Sequence, residues 1–347
     1  MGDLNTADLS NILSNTIENL LLAEQQIQEK EISPNPDEFQ FEHFWQTIIV
    51  IAQKLSFECT KICIMFSQAP IPSSSETSSL LTALEQAVLS LVSCFYRFPL
   101  SQGETLHSYL QHAVVRAIQA SRQLLKIIKD EGSHEVVSRY HQSTGVVWQG
   151  CAMIEKCPRD NKTAVLLKLN AQNILVGDAF DEISEALKGD GTSGMDGIGM
   201  GDLDDSDMED EEEEEKWTDE DKEMINPSVN LIKASKILYK RIIGAIDKNG
   251  TFETTEKIKE LDTVEEDCNP VSQTVDSLIL EMYPPLSMDN MQEQSHLLAT
   301  LISTALKTAA QSHIITENEQ SHIEFLQKAV DHNLQKMEEK IGEKNKA

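Results

Sequence analysis

The sequence predicts an all-α protein: two antiparallel helical bundles joined by a disordered, glycine-rich acidic linker. Three observations carry that expectation. Apolar residues recur at intervals of three and four through eleven segments of the 347-residue chain. We find no β-branched alternating run bounded by turns. Between the sixth and seventh segments the composition changes abruptly to glycine and then to acid.

The clearest segment is FEHFWQTIIVIAQKLSFECTKICIMF. Here Phe41, Phe44, Trp45, Ile48, Ile51, Ala52, Leu55, Cys59, Ile62, Cys63 and Phe66 fall on one helical face. Asp37, just after the helix-breaking SPNP, is the expected N-cap. Similar periodicity runs over residues 6–31, 75–98, 104–130, 133–156 and 159–188. The separators APIPSSSE, FPLSQGE and DEGSH are short, so sequential helices should run antiparallel. In PRDN, Pro158 and Asp160 read as a helix start, with Asp160 accepting hydrogen bonds from exposed amides.

GDGTSGMDGIGMGD follows, and then DLDDSDMEDEEEEEKWTDED. Glycine raises the entropic cost of ordering and like charges repel, so residues 189–216 are expected to be disordered. Periodicity resumes at Trp217 and is read as five segments: 218–247, 252–266, 270–282, 290–313 and 317–342. In the last, Ile323, Leu326, Val330, Leu334, Met337 and Ile341 make a narrow apolar stripe. The expected domains are therefore a bundle over 1–188, a linker over 189–216 and a bundle over 217–347.

Charge narrows the function classes. The formal net charge is −29; residues 202–223 hold fifteen acids against Lys216 and Lys222, so −16 remains elsewhere. Such a surface repels phosphate backbones and anionic lipid heads, and neither nucleic acid nor membrane is an expected partner. No run of about 18 apolar residues is apparent, and MGDLNTADLS lacks the features of an export signal. Six cysteines in such a chain read as reduced thiols of an intracellular protein.

The sequence carries no nucleotide-binding, nucleophile-elbow or zincin motif, so no enzyme, cofactor or metal site is expected. Cys59 and Cys63 share a helical face, but both fall in the apolar stripe and read as core thiols. DKNGTFETTEKI begins like a calcium loop, yet Phe252 and Ile258 occupy the positions that need glycine and a bidentate acid. It is read as a helix C-terminus at Asn249-Gly250, with the glycine left-handed.

Two features remain as candidate sites. In NLIKASKILYKRIIGAI, Lys233, Lys236, Lys240 and Arg241 follow three-and-four spacing. They form either a solvated face or a docking stripe for acidic groups. Ser206, with acids at +1 and +3, matches the pattern of an acidophilic kinase.

PRDNKTAVLLKL, LIKASKILYKRI, MYPPL, FEHFWQTIIVIAQ and FSQAPIPSSSET flank the acidic middle, and in their order along the chain they resemble the cyclin-D-binding family (Grap-and-cyclin-D-interacting protein). The resemblance covers residues 40–340 and leaves the first thirty-five or so unassigned. It implies talin- or vinculin-like helical bundles and a non-enzymatic partner of D-type cyclins, in cytoplasm and nucleus. It further implies opposition to cyclin-D-dependent phosphorylation of retinoblastoma protein, and adaptor and helix-loop-helix proteins as further partners. The competing expectations are a cytoskeletal or adhesion adaptor and an acidic chaperone of basic proteins.

Overall fold

The structure, a computed structural model, describes residues 2–29, 39–131, 137–189 and 217–344. Among these it is entirely helical, with ten α-helices, one short 3-10 turn at Leu100–Gln102 and no strand. The chain divides into two compact units, Met1–Ala164 and Val165–Ala347. The expected linker lies, apart from Gly189 at a helix end, outside the described residues, and so does Ser206.

The first unit holds α1 (Gly2–Gln28), α2 (Phe41–Phe66), α3 (Ser74–Phe95), α4 (Glu104–Glu131) and α5 (Val137–Glu155). The stripe predicted for α2 is its buried face, with Ile48, Ala52, Leu55, Cys59 and Ile62 wholly excluded from solvent. Phe44 and Trp45 pack with Phe98 and the ring of Phe39, closing one end of the core. Asp37 lies outside the described residues; the helix begins at Phe41 behind Gln40, whose side chain makes no cap bond.

Helix α1, beyond the reach of the resemblance, buries Leu13, Leu20 and Ile27 in this same core. Its buried Glu24 is tied to α4 by Arg122 at 2.9 Å and by Gln119 at 2.6 Å.

Helix α3 opens with a capping box in which Ser73 Oγ accepts from the Glu76 amide and Glu76 returns the bond. By length and composition α3 could cross a membrane, which corrects the expectation that no such stretch exists. Its Leu81, Leu84, Val88, Leu91 and Phe95 are spent in the core of this unit, and a core helix needs that same apolar content.

The second unit holds α6 (Asn161–Gly189) from Val165 onward, its first turn through Ala164 belonging to the first unit, with α7 (Asp219–Asn249), α8 (Thr255–Leu280), α9 (Met288–Gln311) and α10 (Glu317–Lys344). Two boundaries differ from the sequence reading. The sixth helix was expected to close the first bundle. Instead Val165, Leu169, Val176 and Ile183 join the core of the second unit. Polar ties follow the same face: Lys168 to Glu265 at 2.8 Å and Gln172 to Asn269 at 2.6 Å, both on α8. Period alone shows that a helix has an apolar face, not which neighbour covers it.

The segments predicted over 252–266 and 270–282 are one helix, α8, which runs through Pro270. Proline removes one helical hydrogen bond and crowds the carbonyl four residues back. That carbonyl belongs to solvent-exposed Glu266, where water can satisfy it. Val264 and Cys268 before the proline and Val271 and Val275 after it are fully buried, which holds both halves in one core face. A smaller correction concerns Gly250, whose φ is −62° and not left-handed. Glycine suits the position because a Cβ there would lie 2.6 Å from the Ile246 carbonyl oxygen.

Candidate interaction surface

The cationic stripe belongs to α7. Thr218 starts this helix with a capping box, accepting from the Asp221 amide at 3.1 Å while Asp221 accepts from the Thr218 amide at 3.0 Å. Ile225, Leu231, Ile232, Leu238, Ile242 and Ile246 bury its inner face. Tyr239 is also buried, donating its hydroxyl to the Cys268 carbonyl at 2.7 Å, and burial pushes that hydroxyl's pKa well up.

Helix α10 lies antiparallel to α7. Lys248 meets Glu319 at 3.0 Å near one end, and Lys340 meets Glu223 at 3.7 Å near the other. In α10, Ile323, Leu326, Val330, Met337 and Ile341 are buried as the stripe predicted, with Leu334 half-buried.

Outside this seam runs a groove of about 750 Å³. Lys233, Ile237, Lys240, Arg241 and Gly244 line it from α7, and His322, Phe325, Ala329 and Asn333 from α10. Among the described residues, Lys233, Lys240 and Arg241 have no ion-pair partner. Phe325 is 74% exposed and Ile237 38%.

The four predicted cations do not act as one stripe. At about 100° per residue, Lys240 lies close to the Lys233 direction, Arg241 about 80° to the groove side and Lys236 about 60° to the opposite side. Lys236 accordingly reaches Asp181 on α6 at 3.1 Å and sits 5.2 Å from the centroid of the Phe180 ring. The reading missed Ile237, Lys248 and Phe325. Phe325 had a signal, since it stands off the apolar stripe of its own helix between Ile323 and Leu326.

Elsewhere the chemistry is quiet. No group of three or more His, Cys, Asp or Glu among the described residues could hold a metal ion. All six cysteines are buried, and burial pushes the Cys59 and Cys151 thiols up to about 12, far from reactive thiolates. In the DKNGTFETTEKI stretch, the Thr251 amide donates to His313 Nε2 at 3.1 Å, while His313 Nδ1 lies 2.7 Å from Glu260. An accepting Nε2 places the neutral ring's proton on Nδ1, so this histidine fastens a turn. Burial raises the Glu260 carboxyl, but the His313 amide and ring outweigh it and the net shift is downward.

A second apolar surface lies on the first unit, where Phe57 and Ile64 of α2 and Trp148 of α5 are each more than half exposed. Trp148 Nε1 donates to Thr60 Oγ1 at 2.9 Å across that seam.

With the helices and the groove described, sequence comparison names the family. The family described as "Grap2 and cyclin-D-interacting, N-terminal" matches residues 47–189, and its C-terminal counterpart matches 201–307. The chain belongs to the Grap2-and-cyclin-D-interacting family.

Members of this family align with it nearly end to end. A Xenopus laevis Cyclin-D1-binding protein 1 homolog is 32% identical over 300 residues, covering 86% of this chain and 89% of its own. The Danio rerio homolog is 29% identical over 327 residues, 94% of each. Homo sapiens Cyclin-D1-binding protein 1 is 28% identical over 335 residues, 94% of this chain and 92% of its own. The stripe of α7 lies inside the C-terminal match, whereas all of α10, Phe325 included, lies beyond it.

Proposed function

We propose that this chain binds a D-type cyclin and, without catalysis of its own, opposes cyclin-D-dependent phosphorylation of retinoblastoma protein and so the transcription that protein controls. In this reading it works in cytoplasm and nucleus as two compact helical units, the acidic segment falling between α6 and α7 of the second, with adaptor and helix-loop-helix proteins as further partners. The observation that carries it is the end-to-end similarity to proteins named for binding cyclin D1.

The test has two stages. Immobilised full-length chain should capture purified cyclin D1 saturably; absence of capture sinks the reading. The chain should then slow retinoblastoma phosphorylation by a cyclin-D-dependent kinase in proportion to capture. Unchanged phosphorylation at saturating chain would leave a binding protein that does not oppose the kinase.

A second reading, a cytoskeletal or adhesion adaptor, is favoured by one feature, the groove cations Lys233, Lys240 and Arg241, which have no ion-pair partner among the described residues and suit an acidic filament. Cosedimentation with filamentous actin separates the two, since the acidic remainder of the chain predicts none.

A further inference from the structure

We propose that the α7–α10 groove docks an amphipathic helix of a partner protein, one flank of which is acidic. Its lining runs from Asn230 to Lys248 on α7 and from Asn318 to Asn333 on α10, with Ile315 in the turn before α10. At 1.5 Å per residue the α7 wall is about 27 Å long and the α10 wall about 23 Å, which accepts about four to five turns of a third helix. Ala234, Gly244, Ala245 and Ala329 keep the lining low, and a Cβ on Gly244 would meet nothing within 4 Å. Ile237 and the ring of Phe325 stand exposed beside it as apolar anchors. That combination is the helix-in-groove mode, in which anchors at i, i+3 or i+4 and i+7 enter between two helices.

Charge sets the flank and the orientation. The α7 wall carries Lys233, Lys240 and Arg241, while the α10 wall contributes Asn318, Asn333, the imidazole of His322 and a Glu319 already paired with Lys248. On a chain of net charge −29, this wall is a local exception that acidic side chains can pair with and basic ones cannot. The chain's own acidic segment supplies the charge but not the anchors, since Leu203 and Met208 are its only apolar residues between 202 and 215. A partner helix offers both. The proposal holds whether or not that partner is a cyclin.

The test uses fluorescence anisotropy of a labelled, designed amphipathic peptide of about eighteen residues, titrated with the full chain. One version carries Glu along a flank and the other carries Lys there. The Glu peptide should bind, the Lys peptide should not, and Phe325→Ser or the double change Lys240→Glu with Arg241→Glu should each weaken binding about ten-fold or more. All three side chains are exposed, so these variants should keep the parent melting temperature. Equal binding of the two peptides, no binding of the Glu peptide, or indifference to the variants overturns the proposal. Binding seen only after residues 202–215 are replaced by Gly/Ser would give the groove to the chain's own segment. A concentration-dependent dimer that Phe325→Ser dissolves would give it to a second copy. Failed cyclin capture beside intact peptide binding would remove only the cyclin reading.

Discussion

Asn161 Oδ1 accepts from the Leu106 backbone amide at 3.1 Å, so a side chain at the start of one helix caps the start of another. The Leu106 amide is one of the first four in α4, which have no partner within the helix. Gly103, just ahead of that helix, has φ +120°, and a Cβ there would lie 2.1 Å from the Asn161 side chain. Glycine therefore answers two demands at once, a positive φ and the approach of a buried amide. Asn161→Ala should cost about 1–2 kcal/mol by stranding a buried donor. Gly103→Ala should cost more than about 1 kcal/mol, through strain and displacement of Asn161. Urea midpoints followed by tryptophan fluorescence check both; a Gly103→Ala midpoint equal to the parent's would contradict the geometry.

Asp160 performs the ordinary version of the same task. Its Oδ1 accepts from the Thr163 amide at 2.7 Å and its Oδ2 from the Thr163 hydroxyl at 2.8 Å, at the head of α6. Asp160→Ala should lower stability by about 1 kcal/mol, and Asp160→Ser should restore most of it. If Asp160→Ala instead abolished cyclin capture at an unchanged melting temperature, Asp160 would be a contact residue and not a cap.

Glu265 and Lys168 give a pH-dependent prediction. Burial raises the Glu265 carboxyl, and the bond from Lys168 at 2.8 Å offsets only part of that. Glu265 Oε1 has no hydrogen-bond partner among the described residues. A carboxyl raised in the folded state binds its proton more tightly there than in the unfolded chain. Its effect therefore erodes stability as pH climbs from the ordinary carboxylate value through the raised one. Lys168→Met, which leaves the charge buried and unpaired, should cost about 3 kcal/mol at neutral pH. That cost should shrink as pH falls toward the ordinary carboxylate range and Glu265, raised above it, takes up a proton. Glu265→Gln, leaving a lysine that reaches solvent, should be far milder. Thermal melts of both variants across pH decide it, and a cost for Lys168→Met that does not vary with pH refutes the assignment.

Glu76 and Glu319 work in the opposite sense. The Ser73 amide and hydroxyl hold the Glu76 carboxyl below its usual range, and Lys248 does the same for Glu319. Stability from these groups is present above the ordinary carboxylate pKa and is lost as pH falls through the depressed values. Glu76→Gln should therefore lower the melting temperature at neutral pH and converge with the parent in acid. A constant offset at every pH would assign its effect to shape alone.

The acidic segment offers a test of electrostatic masking. As a proposal, residues 202–215 act as a weak tethered competitor for Lys233, Lys240 and Arg241, strengthened by phosphorylation of Ser206. With a Debye length of about 8 Å at physiological salt, the competition should be salt-sensitive. Replacing the segment with neutral Gly/Ser should tighten binding of an acidic ligand at low salt, and the gain should fade as salt rises. Equal affinity at both salts would make the segment a spacer only.

What the sequence by itself determined is local. The spacing of Ile48, Ala52, Leu55 and Cys59 defined a buried helical face, and Asp160 before Asn161 marked a helix start. The ordered blocks also led to the right family. These signals need only the period of a helix and the chemistry of its ends. Other outcomes waited for the tertiary structure. Val165, Leu169 and Val176 form an apolar face that either unit could have covered, and only packing assigned it to the second. Pro270 reads as a break until the buried residues on both sides are seen to belong to one core face. The rotation of Lys236 away from Lys233 follows from helical period, but its partner, Asp181 on α6, was decided by packing. Phe325 became an anchor only when α10 set it across a groove from Ile237. Periodicity specifies the direction a side chain takes from its own helix, whereas its partner depends on how separate helices pack, through contacts distant in sequence.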